Sequence, residues 1–149
     1  MHKILFICHG NICRSPMAEF VMKDLVQQAG RENDFIIDSA AVSNEEEGNG
    51  IYPPARRKMQ EHRIPFDDHR AHKVTVSEFD AYDIVVIMDQ SNWRILSRIV
   101  GSDRMDKVHL MMSYAGKSRD VADPWYSGDF ERAYQDILAG CKGLLASLV

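Results

Sequence analysis

Apolar and polar positions alternate along this chain in two distinct rhythms. Residues 4–7, Ile-Leu-Phe-Ile, are apolar without a break, which marks a strand buried on both faces. That run ends in a small polar loop. Pro16 then opens a stretch in which Met17, Phe20, Val21 and Leu25 recur at three- and four-residue steps, predicting a helix that stops at Gly30. Residues 34–38, Asp-Phe-Ile-Ile-Asp, predict a second buried strand ending at Ser39. Strand, helix and strand at this spacing form a parallel crossover. The ligand site of such a sheet belongs at the carboxyl ends of its strands, where Cys8 and Ser39 fall.

Further along, residues 43–54 are a polar loop carrying Glu45, Glu46 and Glu47, of which two are expected to be simply solvated. Pro53 and Pro54 open a helix over residues 55–61 with an exposed basic face of Arg56, Arg57 and Lys58. A short helix is expected to start around Ser77 to Phe79. Residues 84–88 predict a third buried strand, running into Asp89, Ser91 and Asn92, which cap a helix whose core face is Trp93, Leu96, Ile99 and Val100. Residues 107–111 supply a fourth short strand. Finally Phe130, Tyr134, Ile137, Leu138, Cys141, Leu144, Leu145 and Leu148 recur at helical steps, placing a long helix on the sheet with Cys141 in its core stripe. Repeats and linkers are absent, so one α/β domain over residues 1–149 is expected.

Composition narrows the classes of function. Hydrophobic residues make up 45% of the 149, enough for a sizeable core. The net charge of −4 makes nucleic acid a poor partner, so any affinity for phosphate must come from a local site. No stretch reaches the ~20 apolar residues of a membrane span, and the first apolar run lacks the cleavage site of a secretory leader. Three cysteines, an odd number, point to a reducing compartment, and the cytoplasm is the expected location. His2, His62, His72 and His109 join no constellation and are expected at the surface.

The chemistry concentrates in the loop after the first strand. Cys8 and Arg14 bracket five residues, so a thiol at the strand end and a guanidinium at the helix start can face one small cavity. Amides freed at Gly10 and at the helix N-terminus would point inward as well. Such a ring wants an anion, and a tetrahedral phosphate suits it: Arg14 grips two oxygens while the amides take the others. Thiols at helix N-termini beside a cation ionise readily, so Cys8 is expected to be an anionic nucleophile. A nucleophile inside a phosphate cradle implies phosphoryl transfer. Zinc is a weaker fit, because Cys8, His9 and Cys13 have no second ligand pair at metal-like spacing. A nucleotide-binding P-loop is excluded, since no Gly-Lys-Ser/Thr follows Gly10.

The run Cys8-His-Gly-Asn-Ile-Cys-Arg-Ser-Pro-Met-Ala-Glu19 resembles the signature of the low-molecular-weight protein tyrosine phosphatases, and the resemblance extends over essentially the whole chain. It implies a three-layer sandwich with a four-stranded parallel sheet in order 2-1-3-4, flanked by helices, with the phosphate loop (His9, Gly10, Asn11, Ile12, Cys13 and Ser15) after strand 1. Cys8 would attack phosphorus and form a phosphocysteine, Arg14 would hold the equatorial oxygens, and Ser15 would donate to the Cys8 sulfur. Asn11, Ser15, Ser39 and His69 match the hydrogen-bonded network that supports the loop in that family. Asp123-Pro124-Trp125-Tyr126, which by spacing alone reads as a turn, matches its general-acid loop. Asp123 must be neutral to give up a proton, so turnover should favour mildly acidic pH. The implied substrate is a phosphotyrosine-containing protein, a tyrosine autokinase among the candidates, or a small aryl phosphate. The enzyme would need no metal or organic cofactor and would be mostly monomeric.

Three positions depart from common family patterns. Glu45 stands where eukaryotic members often place an aromatic wall of the substrate cleft, His9 replaces an aliphatic residue, and Trp125 takes the place of a tyrosine beside Tyr126. Arginine phosphatases of the family carry threonine where this chain has Ile12, which favours phosphotyrosine. Arsenate reductases of this fold need further cysteines between Cys13 and Cys141, and there are none. A phosphocarrier protein would have no use for Arg14 and Asp123 together. Cys13 lies five residues from Cys8, a spacing from which it could trap oxidised Cys8 as a disulfide.

Overall fold

The computed structural model describes residues 1–149. Its centre is a four-stranded sheet in the order β2-β1-β3-β4, with every neighbouring pair parallel: β1 His2–Cys8, β2 Phe35–Ala41, β3 Ile84–Ile87 and β4 Val108–Leu110. Ile4 to Ile7 are fully buried, because β1 is an inner strand with helices over both faces. Alternation along β1 divides the core. Ile4 and Phe6 face α1 (Arg14–Gln28), α2 (Pro53–Glu61) and α6 (Phe130–Leu148). Leu5 and Ile7 face α3 (Val76–Asp80) and α4 (Gln90–Val100). The three layers and the strand order are those implied by the resemblance.

Several boundaries differ from the sequence pattern, each for a local reason. Helix α1 begins at Arg14 rather than Pro16, with its first helical bond from Met17 N to Cys13 O. Proline is tolerated there because amides in the first turn have no intrahelical acceptor. Strand β2 continues past Ser39 to Ala41, since its register pairs Cys8 with Ala41. Trp93 is half-buried against the α4 side of the core, while Leu96 and Val100 are buried outright. Asp89 caps α4 in a reciprocal capping box with Asn92. Helix α6 crosses the turn Met111–Ala115 so closely that a Cβ on Gly143 would collide with the Tyr114 carbonyl.

Two of the histidines expected at the surface are instead half-buried and paired. The His62 ring stacks on Tyr134 at 3.9 Å, with Nε2 2.9 Å from Glu131 Oε1. His72 Nε2 lies 2.7 Å from Glu78 Oε2, on the first turn of α3. That hydrogen bond raises the His72 pKa above its ordinary value, against a smaller opposing effect of burial. A raised folded-state value means that the pair stabilises the fold below the unfolded histidine pKa, and that this contribution disappears as pH rises through the folded one. Glu78→Gln is therefore expected to lower the Tm at about pH 5.5 and to have little effect at about pH 8.5. Thermal melts of both proteins at the two pH values check this, and an equal loss at both would contradict it.

Candidate active site

Strand β1 delivers Cys8 to the carboxyl edge of the sheet, and α1 starts six residues later. Between them the chain folds into a loop closed around the Cys8 sulfur. Asn11 N and Ser15 N lie 3.3 and 3.4 Å from Sγ, and Ser15 Oγ lies 3.0 Å away. Closing so tight a ring requires a left-handed residue, and Asn11 takes that role at φ 62°. The residue before α1, Cys13, offers no side-chain cap, so the first-turn amide of Ser15 turns to the Cys8 sulfur instead.

Behind the loop lies a chain of hydrogen bonds whose direction is fixed. Asn11 Oδ1 accepts from His72 N, so its Nδ2 donates both to Ser15 Oγ at 2.7 Å and to Ser39 Oγ at 3.0 Å. Ser15, having accepted that bond, is left to donate its own proton to the Cys8 sulfur. Ser39 donates to Glu19 Oε1 at 2.6 Å, and Glu19 Oε2 is paired with Lys23 at 2.6 Å. His69 Nε2 donates to Asn11 O at 2.7 Å. Asn11, Ser15, Ser39, Glu19 and His69 are all buried. Glu19 was not legible as part of this network. Its signal is a carboxylate one turn after Ser15, between the buried Met17 and Phe20.

Arg14 is almost wholly buried, with 2% of its surface exposed. Its Nη1 donates to Asp89 Oδ2 at 2.8 Å and to Val121 O at 2.7 Å. Those bonds set the plane of the guanidinium and leave its Nε and Nη2 hydrogens for two oxygens of an anion. Nη2 meanwhile lies 3.4 Å from Asp123 Oδ2. Burial works against the charged form, but Cys8, Asp123 and Asp89 outweigh it and raise the Arg14 pKa above the ordinary arginine value. Asp89 thus both caps α4 and orients Arg14, a second role that the capping pattern does not reveal.

A cavity of about 150 Å³ opens above this loop. Its floor is Cys8, Gly10, Ile12, Cys13 and Arg14, and its walls are His9, Glu45, Glu46, Asp123, Trp125 and Tyr126. Every residue expected at the site from the sequence lies either on this cavity or in the network behind it. The acidic run is more engaged than a solvated loop would be: Glu45 Oε2 is 3.1 Å from His9 Nε2, Glu46 lines the cavity, and Glu47 accepts from Lys73 N at 3.0 Å. Gly10 allows this approach, since a Cβ there would sit 3.3 Å from Glu46 Cγ. Asp123 is not in an open loop. It caps a four-residue helix, α5 (Pro124–Ser127), accepting from Trp125 N at 3.0 Å. Trp125 is half exposed and Tyr126 is 87% exposed. Burial, followed by the nearby Cys8, pushes the Cys13 thiol well above the ordinary range and keeps it protonated. No group of three or more His, Cys, Asp or Glu side chains is arranged to hold a metal ion.

A thiol ringed by amide donors at the end of a parallel strand, with a buried arginine beside it, defines a phosphate-cradle protein with a built-in nucleophile. The chain belongs to the low molecular weight phosphotyrosine protein phosphatase family, whose model matches residues 3–149. It is 35% identical to the low molecular weight protein-tyrosine-phosphatase YfkJ of Bacillus subtilis, over 99% of this chain and 96% of that protein. The crystal structure of YfkJ superposes with a TM-score of 0.95, covering 99% of this chain and 94% of that one. Vibrio vulnificus Wzb in complex with benzylphosphonate gives a TM-score of 0.86 at 26% identity, with 98% of each chain covered. DARP, the drosophila arginine phosphatase, gives 0.87 at 28% identity, covering 98% of this chain and 97% of that one.

Proposed function

We propose that this protein hydrolyses phosphotyrosine in protein substrates, and small aryl phosphates, through a phosphocysteine formed on Cys8. The observation that carries the proposal is the ring of three donors on the Cys8 sulfur, set in the floor of a cavity that also holds Arg14 and Asp123. In the first step Cys8 Sγ attacks phosphorus in line. The S–P bond forms as the P–O bond to the phenol breaks, and Asp123 gives its proton to the leaving oxygen. In the second step water attacks phosphorus, Asp123 takes a proton from it, and the S–P bond breaks. The Ser15 hydroxyl steadies the sulfur as it leaves. Arg14 and the loop amides hold the equatorial oxygens in both steps, the main electrostatic contribution.

Ile12 and Trp125 give the cavity apolar surface for an aryl ring, and a benzylphosphonate bound to the related Wzb is an aryl ligand of the same kind. The partner is then a phosphotyrosine-bearing protein, with a tyrosine autokinase as the specific case proposed. All three cysteines are free, which fits work in the reducing cytoplasm. The test is metal-free hydrolysis of p-nitrophenyl phosphate, a phosphotyrosyl peptide and a phosphoarginyl peptide by the wild-type protein. The proposal expects release of phosphate from the first two and little from the third. Preference for phosphoarginine would move the assignment to the activity named for DARP, and phosphorylation without turnover would make the protein a phosphocarrier.

A further inference from the structure

Helix α2 begins with a residue whose side chain takes no part in the helix. Tyr52 occupies its N-cap, where its carbonyl accepts from Ala55 N at 2.9 Å and Arg56 N at 3.1 Å; Pro53 and Pro54 have no N–H to cap, and the Tyr52 side chain makes no cap bond. The aromatic side chain is thus free for another role, and its contacts lie beside the functional site. The backbone of Tyr52 is tied to the phosphate loop, its N–H donating to Ile12 O at 2.9 Å. Its half-buried ring packs on the buried Ile12, Cys13 and Ala71, 6.1 Å from the ring of Phe130 at the start of α6. The same ring lies against Trp125 with centroids 4.8 Å apart at 50°.

We propose that Tyr52 is a positioning residue that braces Trp125 and, through it, holds the short helix bearing Asp123 over the phosphate loop. Helix α5 has only four residues and cannot be stable by itself. Its tie to Arg14 is a 3.4 Å ion pair, and its own cap is the bond between Asp123 and Trp125 N. The Tyr52 ring gives α5 an apolar anchor against a part of the chain rigidly bonded to the loop that carries Cys8. This aromatic contact and the Arg14 ion pair together set the distance between the reacting thiol and the proton donor. A side chain with no polar contact to substrate would in this way tune proton delivery.

This rests on Asp123 being the general acid, and the experiment separates the two ideas. Phenyl phosphate, whose leaving group needs a proton, and p-nitrophenyl phosphate, whose leaving group needs it less, are compared with wild type, Asp123→Asn, Tyr52→Ala and Tyr52→Phe. Tyr52→Ala is expected to lose roughly tenfold in kcat on phenyl phosphate and no more than about twofold on p-nitrophenyl phosphate. Tyr52→Phe is expected to restore both, because the ring rather than the hydroxyl makes the contact. Loss of secondary structure would lower both substrates together, so the ratio of the two rates reads positioning and not folding. In a Trp93→Phe background the remaining Trp125 fluorescence should shift in Tyr52→Ala and be as in wild type in Tyr52→Phe. An unchanged substrate ratio in Tyr52→Ala overturns the proposal while leaving the role of Asp123 intact if Asp123→Asn alters that ratio. If Asp123→Asn alters nothing, both fall.

Discussion

Cys8→Ser is expected to lower turnover of p-nitrophenyl phosphate by about 10⁴-fold or more while leaving affinity for inorganic phosphate close to that of wild type. The size of the loss follows from removing a nucleophile that acts in concert with its neighbours, where single deletions cost about as much as deleting the whole set. A serine hydroxyl at this position is neutral at working pH and has no adjacent base to activate it: the groups around the Cys8 sulfur, Asn11 N, Ser15 N and Ser15 Oγ, all donate hydrogen bonds. Affinity should survive because Arg14 and the loop amides, rather than the sulfur, hold the oxygens. Steady-state kinetics and calorimetric titration with phosphate check the two halves separately. A serine variant retaining a substantial part of the activity would require a different nucleophile.

Asp123→Asn is expected to cost about 10²–10³-fold on phenyl phosphate and markedly less on p-nitrophenyl phosphate. Asparagine keeps an oxygen to accept from Trp125 N, so α5 retains its cap and the shape of the cavity wall is preserved. What disappears is the proton, together with the negative charge 3.4 Å from Arg14 Nη2. The first loss falls on leaving groups that cannot depart as anions. It also falls on the second half-reaction, where the same carboxylate takes a proton from water. With a good leaving group the first step then outruns the second, and the covalent intermediate accumulates. Rates measured on both substrates, with the rise and decay of the first turnover, distinguish this from a general fall in binding.

How much of this site was legible in the sequence depends on whether partners lie close along the chain. Cys8, Asn11, Arg14 and Ser15 sit within eight residues, and their spacing around Gly10 dictates a loop that faces inward, so cradle and nucleophile could be read directly. The buried strands were equally plain, because inner strands of a parallel sheet are continuously apolar. Contacts that depend on folding were not. The interplay of Tyr52 with Trp125 joins residues far apart in the chain, and next to Pro53 and Pro54 a tyrosine reads only as the entry to a helix. Helix α5 is too short to carry a period. His72 stands alone in the sequence because its partner Glu78 is brought to it by the turn into α3, and the capping pattern of Asp89 carries no sign of Arg14, 75 residues away in the chain. The glycines of α6 gave no hint of the turn they pack against, as nothing in a helix pattern specifies what crosses it.

The most direct test of the account is to mix Asp123→Asn with p-nitrophenyl phosphate, quench in acid within the first turnover, and locate any covalent phosphate by peptide mass spectrometry. A phosphoryl group on the peptide containing Cys8, chased away on longer incubation, is the predicted result. Phosphate found on another residue, or first-turnover release of nitrophenol with no protein-bound phosphate at any time, would contradict the phosphocysteine mechanism.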